Sequence, residues 1–199
     1  HSAQAGGICD HVWRRERLPW KGIVDMHAHY GRWAGFPIWG GDADDLVAEM
    51  DRIGIEKILV SHQACLSPET TWGNDEVLEG MRRHPGRILG YATCYPLGER
   101  PAVEEIDRCI RAGMIGIKLH DCIGVTYTDS RYEAVWEYAD ERSLPVLLHT
   151  GGGGLDKLAP IFERFRRSPI LLGHSGSSNW EAYADTARKV ELMVAEVAE

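Results

Sequence analysis

Short runs of aliphatic and β-branched residues recur along the chain. Between them lie longer stretches in which apolar residues return every third or fourth position. The runs predict strands at Gly22–Tyr30, Lys57–His62, Ile88–Tyr95, Met114–His120, Pro145–Thr150 and Ile170–His174. Most are almost continuously apolar, which marks strands covered on both faces in a parallel sheet. The stretches between them predict helices. In Asp42–Ile53, Leu46, Val47, Met50 and Ile53 form one stripe and Gly54 follows as a stop. Asn74–His84 ends at Pro85-Gly86, and Pro101–Ala112 opens on proline and closes at Gly113. Asp129–Arg142 and Leu155–Arg167 complete the set, and Ser178 with Glu181 three residues on has capping-box spacing. Gly31–Gly41 is a long aromatic-rich loop after the first strand, and Thr126–Ser130 a shorter one after the fourth.

Six alternations of strand and helix imply a parallel sheet with right-handed crossovers. A doubly wound sheet usually carries a glycine-rich phosphate loop after its first strand, but here that strand ends in histidines. Asp156 interrupts the frame of the Gly151–Gly154 run, and no Walker lysine follows. A barrel gathers the strand ends at one mouth, and every predicted strand here ends in a polar residue. The reading is therefore an α/β fold of (β/α)8 TIM-barrel type, cut short after about six βα units. Residues 1–21 read as an N-terminal arm and 22–199 as the barrel.

Composition narrows the function without naming it. The 199 residues carry 22 Lys+Arg and 30 Asp+Glu, a formal charge of −8. That balance argues against nucleic acid and against an anionic membrane as partners. No apolar run approaches the roughly 18 residues of a membrane span. The five cysteines are scattered with no C-x-x-C pair, which argues against a disulfide framework and fits reduced thiols in a cytoplasmic protein. A small-molecule substrate is the expected partner, and a homo-oligomer is compatible with the sequence.

The candidate chemistry lies in histidine. Of nine histidines, six fall at predicted strand ends: His27, His29, His62, His120, His149 and His174. Residues i and i+2 share a strand face, so His27 and His29 point two imidazoles the same way, suited to chelating one cation. His149 is the natural third ligand. His174 is a fourth ligand or a proton-transfer group. Lys118 and His120 form another i, i+2 pair, read as substrate contacts together with His62. Trp39, with Trp33, Phe36 and Trp72, reads as a wall for a flat or apolar substrate. Ser175 lies in GHSGS, which lacks the last glycine of a nucleophile elbow, and is discounted. The implied cofactor is one divalent ion, with Zn2+ the first choice and Mn2+ or Fe2+ the alternatives.

The segments VDMHAHYG, GIKLHD, PVLLHTGGG and ILLGHSG, in that order, resemble the amidohydrolase superfamily of metal-dependent (β/α)8 barrels. Within it they resemble the amidohydrolase-2 branch, which includes aminocarboxymuconate-semialdehyde decarboxylase-like enzymes. The resemblance implies that His27, His29 and His149 match metal ligands of the first and fifth strands. It implies that His174 matches a sixth-strand histidine acting near the metal, and Lys118 a fourth-strand lysine. The family closes with two further strands, the eighth bringing a metal-binding Asp that handles the proton of the attacking water. Here Val190, Leu192 and Val194 begin a seventh strand or extend the helix from Ser178, and no eighth strand follows. The chain is accordingly expected to be less than the full functional polypeptide. Three functions stay open: a metal-dependent hydrolase of an amide, lactone or similar bond; a metal-dependent non-oxidative decarboxylase of an aromatic or muconate-type acid; and an inactive barrel fragment lacking the eighth-strand Asp.

Overall fold

The computed structural model describes residues 8–33, 37–38, 41–98, 101–150 and 155–176. Helix α1 (Ile8–Arg14) precedes strand β1 (Ile23–Tyr30). Five units follow: α2 (Ala43–Ile53) and β2 (Ile55–His62); α3 (Thr70–Arg83) and β3 (Ile88–Ala92); α4 (Ala102–Arg111) and β4 (Gly116–Leu119); α5 (Glu133–Arg142) and β5 (Val146–Leu148); α6 (Ala159–Arg164) and β6 (Ile170–Leu172). All six strands are parallel and lie in the order β1-β2-β3-β4-β5-β6. Sequential order without a switch point is that of a (β/α)8 barrel, not of a doubly wound sheet. The described strands form an arc of it.

Strand alternation divides the core in two. Ile58, Val60, Ile117, Leu119, Val146 and Leu148 face outward and pack against the helices, with Val77, Ile106 and Trp136 among their partners. Leu59, Tyr91 and Leu147 face the barrel interior, where Leu89 and Leu171 join them. The inward parity runs on from Leu59 to Ser61 and from Leu147 to His149, and so delivers polar side chains to the C-terminal rim.

Most predicted elements are present, with shifted ends. Helix α3 starts at Thr70, earlier than the predicted Asn74. The predicted helix Asp129–Arg142 opens instead with a 3-10 turn over Ser130–Tyr132, and Leu155–Arg167 with one over Leu155–Leu158. In the second case Pro160 stands in the first turn of α6, where its missing N–H is tolerated but could not be inside a longer helix. Helix α1 lies within the stretch read as an arm. The Ser178 helix and the alternation at Val190–Val194 lie outside the described residues.

Two side chains tie helices to neighbouring segments. The Asn74 amide, from α3, donates to the Thr93 carbonyl (2.8 Å) and to Glu105 Oε1 (2.7 Å), and its oxygen accepts from the Thr93 N–H and hydroxyl (both 3.0 Å). The Trp136 indole donates to the Tyr127 carbonyl at 2.8 Å and its ring stacks on Phe165. Cys65, Cys94, Cys109 and Cys122 are free thiols. Among the described residues no helix is long and apolar enough to cross a membrane.

Candidate metal centre

Strand β1 does not run evenly along β2. Asp25 pairs with Ile58 and Ala28 with Val60, so β1 spends one more residue than its neighbour over this step. Such a bulge bends a strand and re-aims its side chains. Asp25 stabilises it by accepting the His27 backbone N–H at 3.0 Å, and the Tyr91 hydroxyl reaches across from β3 to the Met26 carbonyl at 3.0 Å. His27 within the bulge and His29 just past it bring their Nε2 atoms to 3.2 Å.

The other imidazoles arrive from the far side of the arc. His149 lies just past β5 and His174 in a 3-10 turn, Gly173–Gly176, just past β6; both strands are shorter than the sequence suggests. His174 Nε2 is 3.2 Å from His149 Nδ1, and its ring centroid is 5.4 Å from that of His27. His174 has a left-handed backbone (φ 52°), uncommon outside glycine and frequent at working sites. Gly173 lets this turn approach: a Cβ there would stand 2.7 Å from the Leu148 carbonyl and 3.0 Å from the His27 ring. His120 follows β4 and stacks on His149 with centroids 3.8 Å apart. Lys118, 1% exposed, places Nζ 3.2 Å from His27 Nε2.

His27, His29, His149, His174, His120 and Lys118 thus meet at one rim from four strands. His62 stands apart. Its Nδ1 accepts the Ala64 N–H, and its ring sits edge-on between Tyr30 and Trp72. Gly31, at φ +95°, leaves no room for a side chain, since a Cβ would fall 2.0 Å from His62 Nε2. His62 therefore holds the first loop against β2. Trp39 and Phe36 lie outside the described residues, as do Gly151–Gly154. Trp33 lines a cleft of about 540 Å3 with Arg32, Ile38 and Asp45, in which none of the clustered imidazoles takes part. Three contributors carried no signal as isolated letters: Ser61, whose Oγ is 2.9 Å from His29 Nδ1, Tyr91, and Tyr127. Ser61 was readable from the parity of Leu59.

Burial sets the electrostatics. It pulls His27 down to about 4, with Lys118 and His174 adding to the effect, and His29 down to about 3, with Lys118 and His27 adding. His120 falls to about 3 by burial and the neighbouring His149, and His149 is lowered by burial and Lys118. Burial also lowers Lys118 to about 8. The imidazoles of His27, His29, His120 and His149 are therefore held in the neutral form, with lone pairs available to a cation. Two nitrogens each about 2.0–2.1 Å from a tetrahedral zinc stand roughly 3.3 Å apart. The 3.2 Å separations of His27 from His29 and of His149 from His174 match that edge. The donor set fits a divalent ion.

A pH dependence follows. An unfolded chain protonates these histidines near the ordinary 6.5, whereas His27, His29 and His120 resist until about 4, 3 and 3. Their contribution to stability is complete above 6.5 and is lost as pH falls from there toward 4. Urea melts of the metal-free protein should show unfolding free energy falling across that window, with uptake approaching three protons on unfolding. A flat profile would contradict the burial of the cluster.

A family model described as Amidohydrolase matches residues 24–195. No curated protein matches the chain. Among solved structures, 4-oxalomesaconate hydratase from Rhodopseudomonas palustris is similar with TM-score 0.64 and 15% identity, covering 86% of this chain and 68% of its own. The 2,6-dihydroxybenzoate decarboxylase from Rhizobium gives TM-score 0.61 and 22% identity, covering 79% and 67%. A dihydroxybenzoic acid decarboxylase from Polaromonas sp. JS666, with bound manganese and the inhibitor 2-nitroresorcinol, gives TM-score 0.58 and 19% identity, covering 79% and 66%. The similarity thus spans about two-thirds of each neighbour's length. At these identities the likeness carries the barrel fold, while the model match spans most of the chain from β1 past β6: the chain belongs to the amidohydrolase family.

Proposed function

We propose that this rim is the metal-binding half of a metal-dependent hydrolase acting on a small molecule that carries a carboxylate. The observation that supports it is the meeting of His27, His29, His149 and His174, from both ends of the described arc, beside a buried lysine. His27, His29 and His149 would hold the ion, Zn2+ by preference and Mn2+ or Fe2+ as alternatives. A bound divalent cation supplies Lewis acidity toward a carbonyl and toward water. With its Nδ1–H donating to Ser61 Oγ, His29 presents the Nε2 lone pair inward, the usual orienting role of such a partner. Lys118 forms no ion pair among the described residues and offers its charge to an anionic group of the substrate. His174 is exposed on its turn and bonded to His149, placed to give or take a proton at the substrate oxygen.

A second reading, non-oxidative decarboxylation, has its own support. The lysine and imidazoles suit the clamping of a carboxylate. The two reactions leave different products. Hydrolysis in 18O-labelled water puts one solvent oxygen into the released acid. Decarboxylation releases CO2 and leaves a solvent hydrogen on the ring carbon. The expected result with the metal-loaded protein, offered lactones, amides and hydroxybenzoates, is solvent oxygen in the product. Evolved CO2 without that label would replace the hydrolase by the decarboxylase, and bound metal without either product would leave an inactive barrel.

A further inference from the structure

The segment after β4 carries a donor set that the proposed catalysis does not use. His120, Asp121 and Cys122 stand in succession there, and one donor atom from each, together with one from His149, lies within 4.8 Å of the other three. The set is mixed: imidazole nitrogen, carboxylate oxygen and sulfur. A thiolate beside imidazoles selects soft or borderline cations of the zinc type over magnesium or calcium. Asp121 and Cys122 are exposed and His120 is buried, so the set opens to solvent on one side only.

The local backbone holds these donors together. The Tyr127 hydroxyl accepts the Asp121 N–H at 3.1 Å and donates to the His149 carbonyl at 2.6 Å, tying the two donor segments through one phenol. Tyr127 is itself buried, beneath Trp136. His120 Nδ1 accepts the Cys122 N–H at 3.2 Å, which holds that lone pair toward the turn bearing the thiol, and an ion bound there would replace this hydrogen bond. The 3-10 turn Asp121–Ile123 ends at Gly124 with φ 80°, which returns the chain sharply and keeps the three donors on one side. The His120 and His149 rings, stacked 17° from parallel, form the inner wall.

We propose that this lip binds a soft divalent cation through Cys122 Sγ, His120 and Asp121, with His149 as the shared fourth donor. A neutral imidazole has one lone pair, so His149 serves either the lip or the inner cluster at one moment. The lip is thus a capture position contiguous with the inner one. It stands without the catalytic reading, because its other three donors take no part in that reading.

Cobalt distinguishes the two positions. An inner ion held by imidazoles has no sulfur ligand, whereas a lip ion does and gives a near-ultraviolet sulfur-to-cobalt charge-transfer band. The metal-free, reduced protein is titrated with cobalt(II) chloride, alongside C122S and the H27A/H29A double variant. The expected result is a sulfur-to-cobalt band in the wild type, retained in H27A/H29A, where His149 is released to the lip, and lost in C122S. Failure of the inner site alone would leave that band in place. Absence of the band from both the wild type and H27A/H29A at saturating cobalt, or its survival in C122S, would overturn the proposal. Cys122 is exposed, so serine at this position preserves the fold, and far-ultraviolet circular dichroism of C122S checks this.

Discussion

Replacing His27 and His29 together by alanine is expected to lower turnover at least about a thousandfold, the order of loss when a principal electrostatic element of an active site is removed. In a C122S background it should also reduce retained metal to the background of elemental analysis. Three features make the effect large. The two Nε2 atoms lie 3.2 Å apart, matching two corners of one coordination sphere. Their rings are kept neutral by burial, so no proton has to leave before an ion enters. Both are fixed from behind, His27 through its amide on Asp25 and His29 through Ser61. Loss of the pair leaves His149 and His174 alone, a weaker chelate. Alanine also removes the His27 partner of the buried Lys118, so far-ultraviolet circular dichroism checks that the metal-free variant is folded. Full metal retention in the triple variant would reject the site.

Trp136→Ala is expected to cost about 3–5 kcal/mol of folding free energy, the range for truncating a buried large aromatic. Trp136 is 2% exposed, stacks on Phe165 and packs among the outward-facing residues of the sheet. Removal leaves a cavity and also orphans the Tyr127 carbonyl, which now accepts the indole N–H. The damage should spread to the rim, because the Tyr127 hydroxyl joins Asp121 to His149. Denaturant melts would measure the first effect, and weakened cobalt binding in the folded fraction the second. Trp136→Phe, which keeps most of the volume, should recover most of the stability and none of the indole hydrogen bond. A loss below about 1 kcal/mol for alanine would mean that the aromatic layer behind β4 and β5 is not a packed core.

Much of this was legible in the residues. Parity along His27–His29 and Lys118–His120 is a consequence of strand geometry, and it put each pair on one strand face before any coordinates. The spacing of polar strand ends showed the barrel order. What failed has local causes. His62 also ends a strand, but it follows inward-facing Ser61 and so points the other way, where its ring sits edge-on between Tyr30 and Trp72, apart from the cluster. His174 was read as a strand terminus, whereas β6 ends at Leu172 and the histidine occupies a left-handed turn that no alternation pattern announces. Cys122 and Asp121 follow the fourth strand in plain view. Their partnership depends on a phenol from Tyr127 that the sequence places in a loop.

The bulge in β1 has a consequence for how this chain tolerates change. From Val24 to Asp25 the strand keeps step with β2 in one phase, and from Ala28 onward in another. Deleting Met26 would restore uniform pairing, with His27 opposite Leu59 and His29 opposite Ser61, and would remove the bend that brings the two rings together. The chelating pair is therefore encoded in the count of residues as much as in their kind. Alleles that differ here by a single codon would be expected to split into metal-competent and metal-blind forms even with every histidine intact.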